Sequence, residues 1–263
     1  MQNSPRILKA LAITAIAGLS LTACGGGNEE PAAAGSDSGI ALVNTGKLTV
    51  CSDIPYEPFE FVRDGENVGF DMDIAAEIAK DLEVELNVVD SSFDSIESGL
   101  FATQCDAAIS SMSITEERKG NMDFSEPYMD DDLTLVAKDG SGITDVESAK
   151  GKRVGVQQAT TGAKYAQEQG LEAVQFEDTG LQVQALKSGQ IDAAVGNQSV
   201  LGYAIKDDAD YKRVADFATG EQLGIGVKKG NTALLESING TLKRLTDDGT
   251  MEEFSATWFG ETE

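Results

Sequence analysis

The stretch 98–109, Ser-Gly-Leu-Phe-Ala-Thr-Gln-Cys-Asp-Ala-Ala-Ile, returns in the second half of the chain as Ser-Gly-Gln-Ile-Asp-Ala-Ala-Val at 188–195. In each copy a helical pattern closes on Ser-Gly and a strand follows at Asp-Ala-Ala. The echo extends upstream: Gly46-Lys47 leads into a strand ending at Ser52-Asp53, and Gly151-Lys152 leads into one ending at Gln157-Gln158. One α/β unit is thus built twice. Around these anchors, β-branched runs at 48–50, 84–89, 107–110, 153–156 and 191–195 alternate with amphipathic stretches, the pattern of mostly parallel sheets. Ile74, Ala75, Ile78, Ala79 and Leu82 mark a helix started by Asp71 or Asp73. Residues 144–147 read as a capping box, and Asp94 as the N-cap of a further helix. Two such lobes set the loops after their strand ends in facing positions, where small ligands bind.

The chain has 263 residues, 41% of them apolar and 25% charged, enough for an ordinary core. With 20 Lys and Arg against 45 Asp and Glu, its formal net charge is −25, which repels phosphate backbones, so nucleic acid is excluded as a partner. The absence of histidine removes histidine-based triads, proton relays and metal sites. No carboxylate cluster has the glycine and terminal glutamate of a calcium loop, and no phosphate-binding glycine loop is present, so neither a metal nor a cofactor is expected.

The amino terminus reads as an export signal. Arg6 and Lys9 precede an apolar run, residues 10–19, that is too short to span a bilayer. It ends in Leu21-Thr22-Ala23-Cys24, which resembles the lipobox of bacterial lipoproteins, where the cysteine is diacylated and becomes the first residue. Removing residues 1–23 takes away two cations and no acid, so the remaining chain carries −27. Residues 24–45 begin with that cysteine and continue as a Gly-, Ala- and Ser-rich tether. The other two cysteines, Cys51 and Cys105, form a candidate disulfide in an oxidising compartment, with no spacing that decides it.

Five segments lie at or just after strand ends. Asp53 and Tyr56, in a run broken by Pro55 and Pro58, offer a carboxylate beside an aromatic face. Phe93 is either buried or on a cleft wall. Ser110, Ser111 and Ser113, followed by a helix start and Arg118, make an anion cradle with a forked donor. Gln157, Thr160 and Thr161 repeat that chemistry in the second half, and Asn197 follows the second Asp-Ala-Ala strand.

These segments in this order resemble the extracellular solute-binding proteins, family 3, of polar amino-acid ABC importers. The likeness runs from about Lys47 to Gly260. It includes Tyr-x-Pro-Phe-Glu-Phe at 56–61, Gly-Phe-Asp-x-Asp-Ile-Ala at 69–75, Ser-Ile-Thr-x-Glu-Arg at 113–118, Asp-Phe-Ser-x-Pro-Tyr at 123–128, Asp-Gly-Thr at 248–250 and Trp-Phe-Gly at 258–260. The resemblance implies an α/β, two-lobe periplasmic-binding-protein-like fold of type II, with the ligand in a cleft between lobes joined by two hinges. Lobe 1 is expected at 46–131 plus 222–263, lobe 2 at 132–221, and the hinges near 131–135 and 221–224.

By matching position, Arg118 grips the ligand α-carboxylate with the Ser113 and Thr161 hydroxyls. Ser111 meets the α-ammonium, Tyr56 and Phe93 sandwich the aliphatic stem, and Asp53 reads the distal group of the side chain. A carboxylate there favours a cationic or hydrogen-bond-donating side chain. Asn197 stands where the family usually has an ammonium-pairing Asp, leaving a lower affinity, a ligand without that ammonium, or another acid such as Glu57. Gly162 stands where some relatives carry a longer polar side chain. The implied protein is no enzyme. It is a membrane-tethered monomer on the extracytoplasmic face, lipid-anchored through Cys24, that delivers a polar or cationic amino acid to an ABC permease. The rival readings are a dehydratase-like enzyme on the same fold, with Glu57 or Asp53 as general acid, and a ligand-sensing accessory protein.

Overall fold

The computed structural model describes residues 40–260. The expected leader, Cys24 and the tether up to residue 39 lie outside the described residues. The first lobe runs through β1 (Lys47–Ser52), β2 (Phe61–Arg63), β3 (Glu66–Val68), α1 (Phe70–Asp81), β4 (Glu85–Asp90), α2 (Phe93–Glu97), a 3-10 turn (Leu100–Thr103), β5 (Ala107–Ala108), α3 (Glu116–Lys119) and β6 (Met122–Phe124). β7 (Met129–Asp130) leads out of it. The second lobe comprises β8 (Leu133–Lys138), α4 (Val146–Ala149), β9 (Val154–Gln157), α5 (Thr161–Glu168), β10 (Ala173–Phe176), α6 (Thr179–Lys187), β11 (Ala193–Asn197), α7 (Gln198–Ile205) and β12 (Tyr211–Phe217). β13 (Gln222–Leu223) returns to the first lobe, which β14 (Gly226–Lys228), α8 (Thr232–Asp247) and α9 (Thr250–Phe259) complete.

The two five-stranded sheets have orders β4-β1-β5-β14-β6 and β10-β9-β11-β8-β12. In each, the strand that runs against its neighbours is the one that has just crossed from the other lobe, β14 beside β5 and β8 beside β11. The sequence echo therefore has a topological meaning. Asp106 and Asp192 stand at equivalent places: each accepts the backbone N–H of the neighbouring strand's start, Thr49 at 2.8 Å and Arg153 at 2.9 Å. Gly99 and Gly189, the second residues of the two Ser-Gly turns, both have positive φ, 81° and 74°, which admits glycine at no steric cost.

The apolar faces read from the sequence are buried where the periodicity places them. Ile74, Ala75, Ile78 and Ala79 of α1 join Leu48, Val50, Phe59, Ile225, Leu234 and Ile238 in the first core, while Leu135, Val154, Val156, Ala166, Ala193 and Val195 form the second. Trp258 closes the first core, its indole N–H donating to Asp73 at 2.6 Å. No helix among the described residues is long and apolar enough to cross a membrane.

Local expectations shift in several places. α1 starts after Gly69, and Asp71 and Asp73 occupy its first turn instead of capping it. The capping box is formed by Asp145 and Ser148, one residue later than the sequence pattern suggests. Ser92, not Asp94, precedes α2. β5 ends at Ala108, and Ser111, three residues on, has a left-handed φ of 43°. The lobes are linked by the β7–β13 ribbon, with the Asp131 N–H donating to the Glu221 carbonyl at 3.0 Å, and Leu133 onward already belongs to the second sheet. Cys51 and Cys105 are joined by a disulfide across 54 residues, with α-carbons 5.8 Å apart.

Candidate functional site

The ends of β1 and β5 lie side by side in the first sheet, so the segments after them, starting at Asp53 and Ser110, emerge together. The Asp53 N–H donates to Ser110 Oγ at 3.1 Å, and Ser110 Oγ donates onward to Glu60 Oε1 at 2.5 Å. Ser110 was expected to touch ligand, but its hydroxyl is occupied as a strut between these two groups. The Asp53 carboxylate faces the second lobe and accepts Gln157 Nε2 at 2.6 Å. Burial pushes its pKa up to about 7, and the charges of Asp90, Asp178 and Asp94 push the same way, against the Gln157 hydrogen bond. A cation placed there would favour the ionised carboxylate against its burial and its acidic neighbours.

Ser111 is held from behind. Its N–H donates to Asp71 Oδ2 at 2.7 Å, and the Tyr128 hydroxyl donates to the same oxygen at 3.2 Å. Glu60 and Asp71 are both completely buried. Glu60 Oε2 and Asp71 Oδ1 are buried and receive no N–H or O–H from any other group. Desolvation and the Asp71 charge push Glu60 far above the carboxylate range, and desolvation raises Asp71 to about 7. Ser111 Oγ is buried without a partner in the protein, the one hydroxyl so placed among the described residues. A buried donor of this kind costs free energy until something meets it.

Arg118 lies in α3, whose N-cap Thr115 accepts the Arg118 N–H at 3.2 Å. Arg118 is 4% exposed, and its guanidinium sits 5.0 Å from the Phe93 ring centroid. One terminal nitrogen donates to the Ser113 carbonyl at 2.8 Å, the other to Ala159 O in the second lobe at 3.0 Å, and Glu97 stands 3.9 Å from Nε. Burial pulls its pKa below the usual arginine range, while Glu97 and Glu221 pull it back. Phe93 therefore serves as a platform for Arg118. Tyr56, the other half of the expected sandwich, reaches across the cleft to Asn197 Oδ1 at 3.3 Å.

The second lobe answers with the loop after β9. Gln157 bridges Asp53 and the Thr179 hydroxyl, which donates to Gln157 Oε1 at 2.7 Å. Ala159 has φ 62°, so both facing loops carry a non-glycine residue in the left-handed region, a strained arrangement of the kind found at binding sites. Thr160, expected to bind, instead caps α5: it accepts from the Ala163 N–H at 3.1 Å and donates to Gln157 O at 2.7 Å. Gly162 does not shape the cleft, because a Cβ there would come within 3.2 Å of Gly196 Cα. The glycine lets α5 press on β11. Asn197 is buried, donating to the Asp131 carbonyl at 3.3 Å. Glu57 is exposed and stands apart from this network.

Several contributors escaped the sequence reading. Glu221, just before β13, accepts the Ser113 hydroxyl at 2.5 Å and the Thr161 hydroxyl at 2.7 Å, so the two hydroxyls expected to hold a ligand carboxylate meet a protein carboxylate. No local pattern marks it. Glu60 and Asp71 did carry a signal, as acids embedded in the apolar runs at 56–61 and 69–75. A groove of about 600 Å³ opens onto Arg118 and Thr161 from the side of α3 and α5. No group of three or more metal-ligating side chains occurs among the described residues. The chemistry of the cleft is that of a buried cation and a buried anion, both on the first lobe and both tied to one loop of the second.

Comparison with known proteins gives this geometry a context. Residues 48–261 match the model of the bacterial extracellular solute-binding proteins, family 3. The chain is 35% identical to ABC transporter arginine-binding protein 1 of Escherichia coli (strain K12) over 214 residues, covering 78% of this chain and 87% of that protein. It is 33% identical to the arginine-binding extracellular protein ArtP of Bacillus subtilis (strain 168) over 256 residues, covering 95% and 96%. The solved structure of an ancestral arginine-binding protein bound to arginine superposes with a TM-score of 0.76 at 38% identity, covering 82% of this chain and 99% of that one.

Proposed function

Because the chain belongs to the bacterial extracellular solute-binding proteins, family 3, we propose that it is the substrate-binding component of an ABC importer, taking a cationic amino acid, with L-arginine foremost. The observation that carries this reading is the pairing of Arg118 with Asp53. Each is buried on the first lobe, and each is hydrogen-bonded across the cleft to the 157–159 loop. A buried guanidinium suits an α-carboxylate, which it can hold with two parallel hydrogen bonds. A buried, proton-hungry carboxylate among other acids suits a distal cation.

The chain acts by binding, without catalysis. Closure is a population shift: a ligand that touches both lobes favours the arrangement in which Gln157, Ala159 and Asn197 meet the first lobe, and the permease reads that state. Cys24 carries the lipid anchor on the extracytoplasmic face, and the monomer hangs from the tether. Replacing Cys24 with Ser in the expressing cell is expected to move the protein from the membrane fraction into the medium or periplasm. Persistence in the membrane fraction would contradict the anchor.

The functional test is a thermal-shift screen against the common L-amino acids. A ligand at one hundred times its dissociation constant adds about 2.7 kcal/mol to the folded state, a clear rise in melting temperature. The largest rise is expected with L-arginine, followed by L-lysine and L-glutamine. A rise with L-glutamate alone, or with none of these, would overturn the assignment.

A further inference from the structure

An amino-acid head group carries an anion and a cation on one carbon. Given the reading of Arg118 as the partner of the anion, the acid that reads the ammonium must stand beside Arg118. Most acids at the cleft are committed elsewhere. Asp53 faces Gln157, Glu97 is paired with Arg118 Nε at 3.9 Å, Asp71 holds the Ser111 N–H and the Tyr128 hydroxyl, and Asp131 accepts both the N–H and the hydroxyl of Ser199 at the start of α7. Asn197 offers only a neutral amide, already shared with Tyr56 and the Asp131 carbonyl.

Glu221 is placed differently. It lies on the segment that returns to the first lobe, outside both five-stranded sheets, and its Oε2 gathers one hydroxyl from each lobe, Ser113 and Thr161. Ser113 passes its carbonyl to Arg118 at 2.8 Å, so a single residue separates the guanidinium from this carboxylate. Among the described residues no Lys or Arg lies within ion-pair distance of half-buried Glu221, and Arg118 is the cation whose field it shares. Arg118 and Glu221, held by the two ends of Ser113, form an alternating pair of charges that matches a zwitterion.

We propose that Glu221 receives the α-ammonium of the bound amino acid, with the Ser113 and Thr161 hydroxyls fixing its carboxylate while Arg118 holds the adjacent α-carboxylate. The two hydroxyls then act on the acid and not on the ligand carboxylate, and Asn197 has no charge to supply. Since Glu221 is tied to both lobes, the ammonium is read only when they have closed.

The test titrates wild type and Glu221→Gln with L-arginine and with 5-guanidinopentanoate, which is arginine without its α-ammonium. Gln keeps the acceptor for both hydroxyls and removes only the charge. L-Arginine is expected to weaken at least about tenfold, because charged hydrogen bonds are worth more than neutral ones, while 5-guanidinopentanoate stays within about threefold. Equal losses for both ligands would make Glu221 a structural clasp. An unchanged or tighter arginine complex would make it a competitor for the carboxylate site. Either result overturns the assignment. Should Glu221→Gln fail to fold, Thr161→Val, which removes one of the fixing hydroxyls, is measured with the same pair and a smaller selective loss is expected. A wild-type protein that binds none of L-arginine, L-lysine and L-glutamine overturns the parent reading and this assignment with it.

Discussion

Asp53 sits near the midpoint of its titration at neutral pH, because burial and its acidic neighbours raise its pKa to about 7. A cationic side chain binds the ionised form, so protons and ligand compete for the same carboxylate. Affinity for L-arginine is therefore expected to rise with pH and level off above about 7, with the complex roughly ten- to thirtyfold weaker at about pH 5.5 than at about pH 8. Asp53→Asn should flatten this profile and cost about 1.5–3 kcal/mol of binding at the higher pH, the worth of a charge-assisted hydrogen bond. Calorimetric titration across the range checks both; a parallel profile in the variant would place the titrating group elsewhere. At this scale the sequence was informative where a residue's chemistry was unusual for its surroundings. Asp53 and Arg118 stood out as charges at strand ends. Thr160 and Ser110 looked alike as hydroxyls at strand ends, yet the fold uses both internally, as a helix cap and as a strut to a buried acid. Residue type alone does not distinguish a free hydroxyl from one already paired.

Two elements hold the site in shape. The first is the carboxyl pair behind the 110–113 loop. Glu60→Gln keeps the acceptor for Ser110 and places no charge beside Asp71, so its cost in stability is expected to stay within about 1 kcal/mol. Asp71→Ala strips the acceptor from the Ser111 N–H and the Tyr128 hydroxyl together and is expected to cost about 2–4 kcal/mol in chemical denaturation. Equal costs would contradict the role given to Asp71 as the acceptor that holds the loop. The second is the Cys51–Cys105 bridge, which ties the end of β1 to the residues before β5 in a buried cluster with Phe93 and Met112. Replacing both cysteines with Ser should lower stability by about 2–4 kcal/mol through the freed unfolded chain. A loss well under 1 kcal/mol would contradict this. Sequence alone left the bridge open, since it depends on two α-carbons brought together by strand pairing. The same limit hid Glu221, which meets Ser113 across 108 residues of chain. The strands and helices were legible because their periodicity is local, whereas the β7–β13 ribbon and its acid exist only once the chain has crossed twice.

At the scale of the molecule, the duplicated Ser-Gly and Asp-Ala-Ala patterns foretold two equivalent sheets, and their aspartates and turns do occupy matching places. What the echo could not convey is how the lobes face each other, because that is set by the contacts from Gln157 to Asp53, from Arg118 to Ala159 and from Tyr56 to Asn197. The cleft and the loop behind it hold acids whose pKa values lie above the usual 3.8: Asp53 and Asp71 at about 7 and Asp131 at about 6. The folded state thus binds these protons more tightly than the unfolded chain. Their stabilisation is complete below about pH 4 and is lost as pH rises through 6 to 7. The ligand-free protein is expected to melt several degrees higher near pH 5 than near pH 8; a flat or opposite trend in calorimetric scans would contradict the burial of these groups. The central claim is that one closed cleft reads a carboxylate with Arg118 and a cation with Asp53. A single calorimetric comparison of L-arginine with agmatine, which lacks the carboxylate, and with L-norleucine, which lacks the distal cation, tests it most directly. One-to-one binding of L-arginine is expected, with each truncated ligand weaker by at least about tenfold, the loss of one charged hydrogen-bonding partner. Agmatine or norleucine binding as tightly as L-arginine, or L-arginine not binding at all, would contradict it.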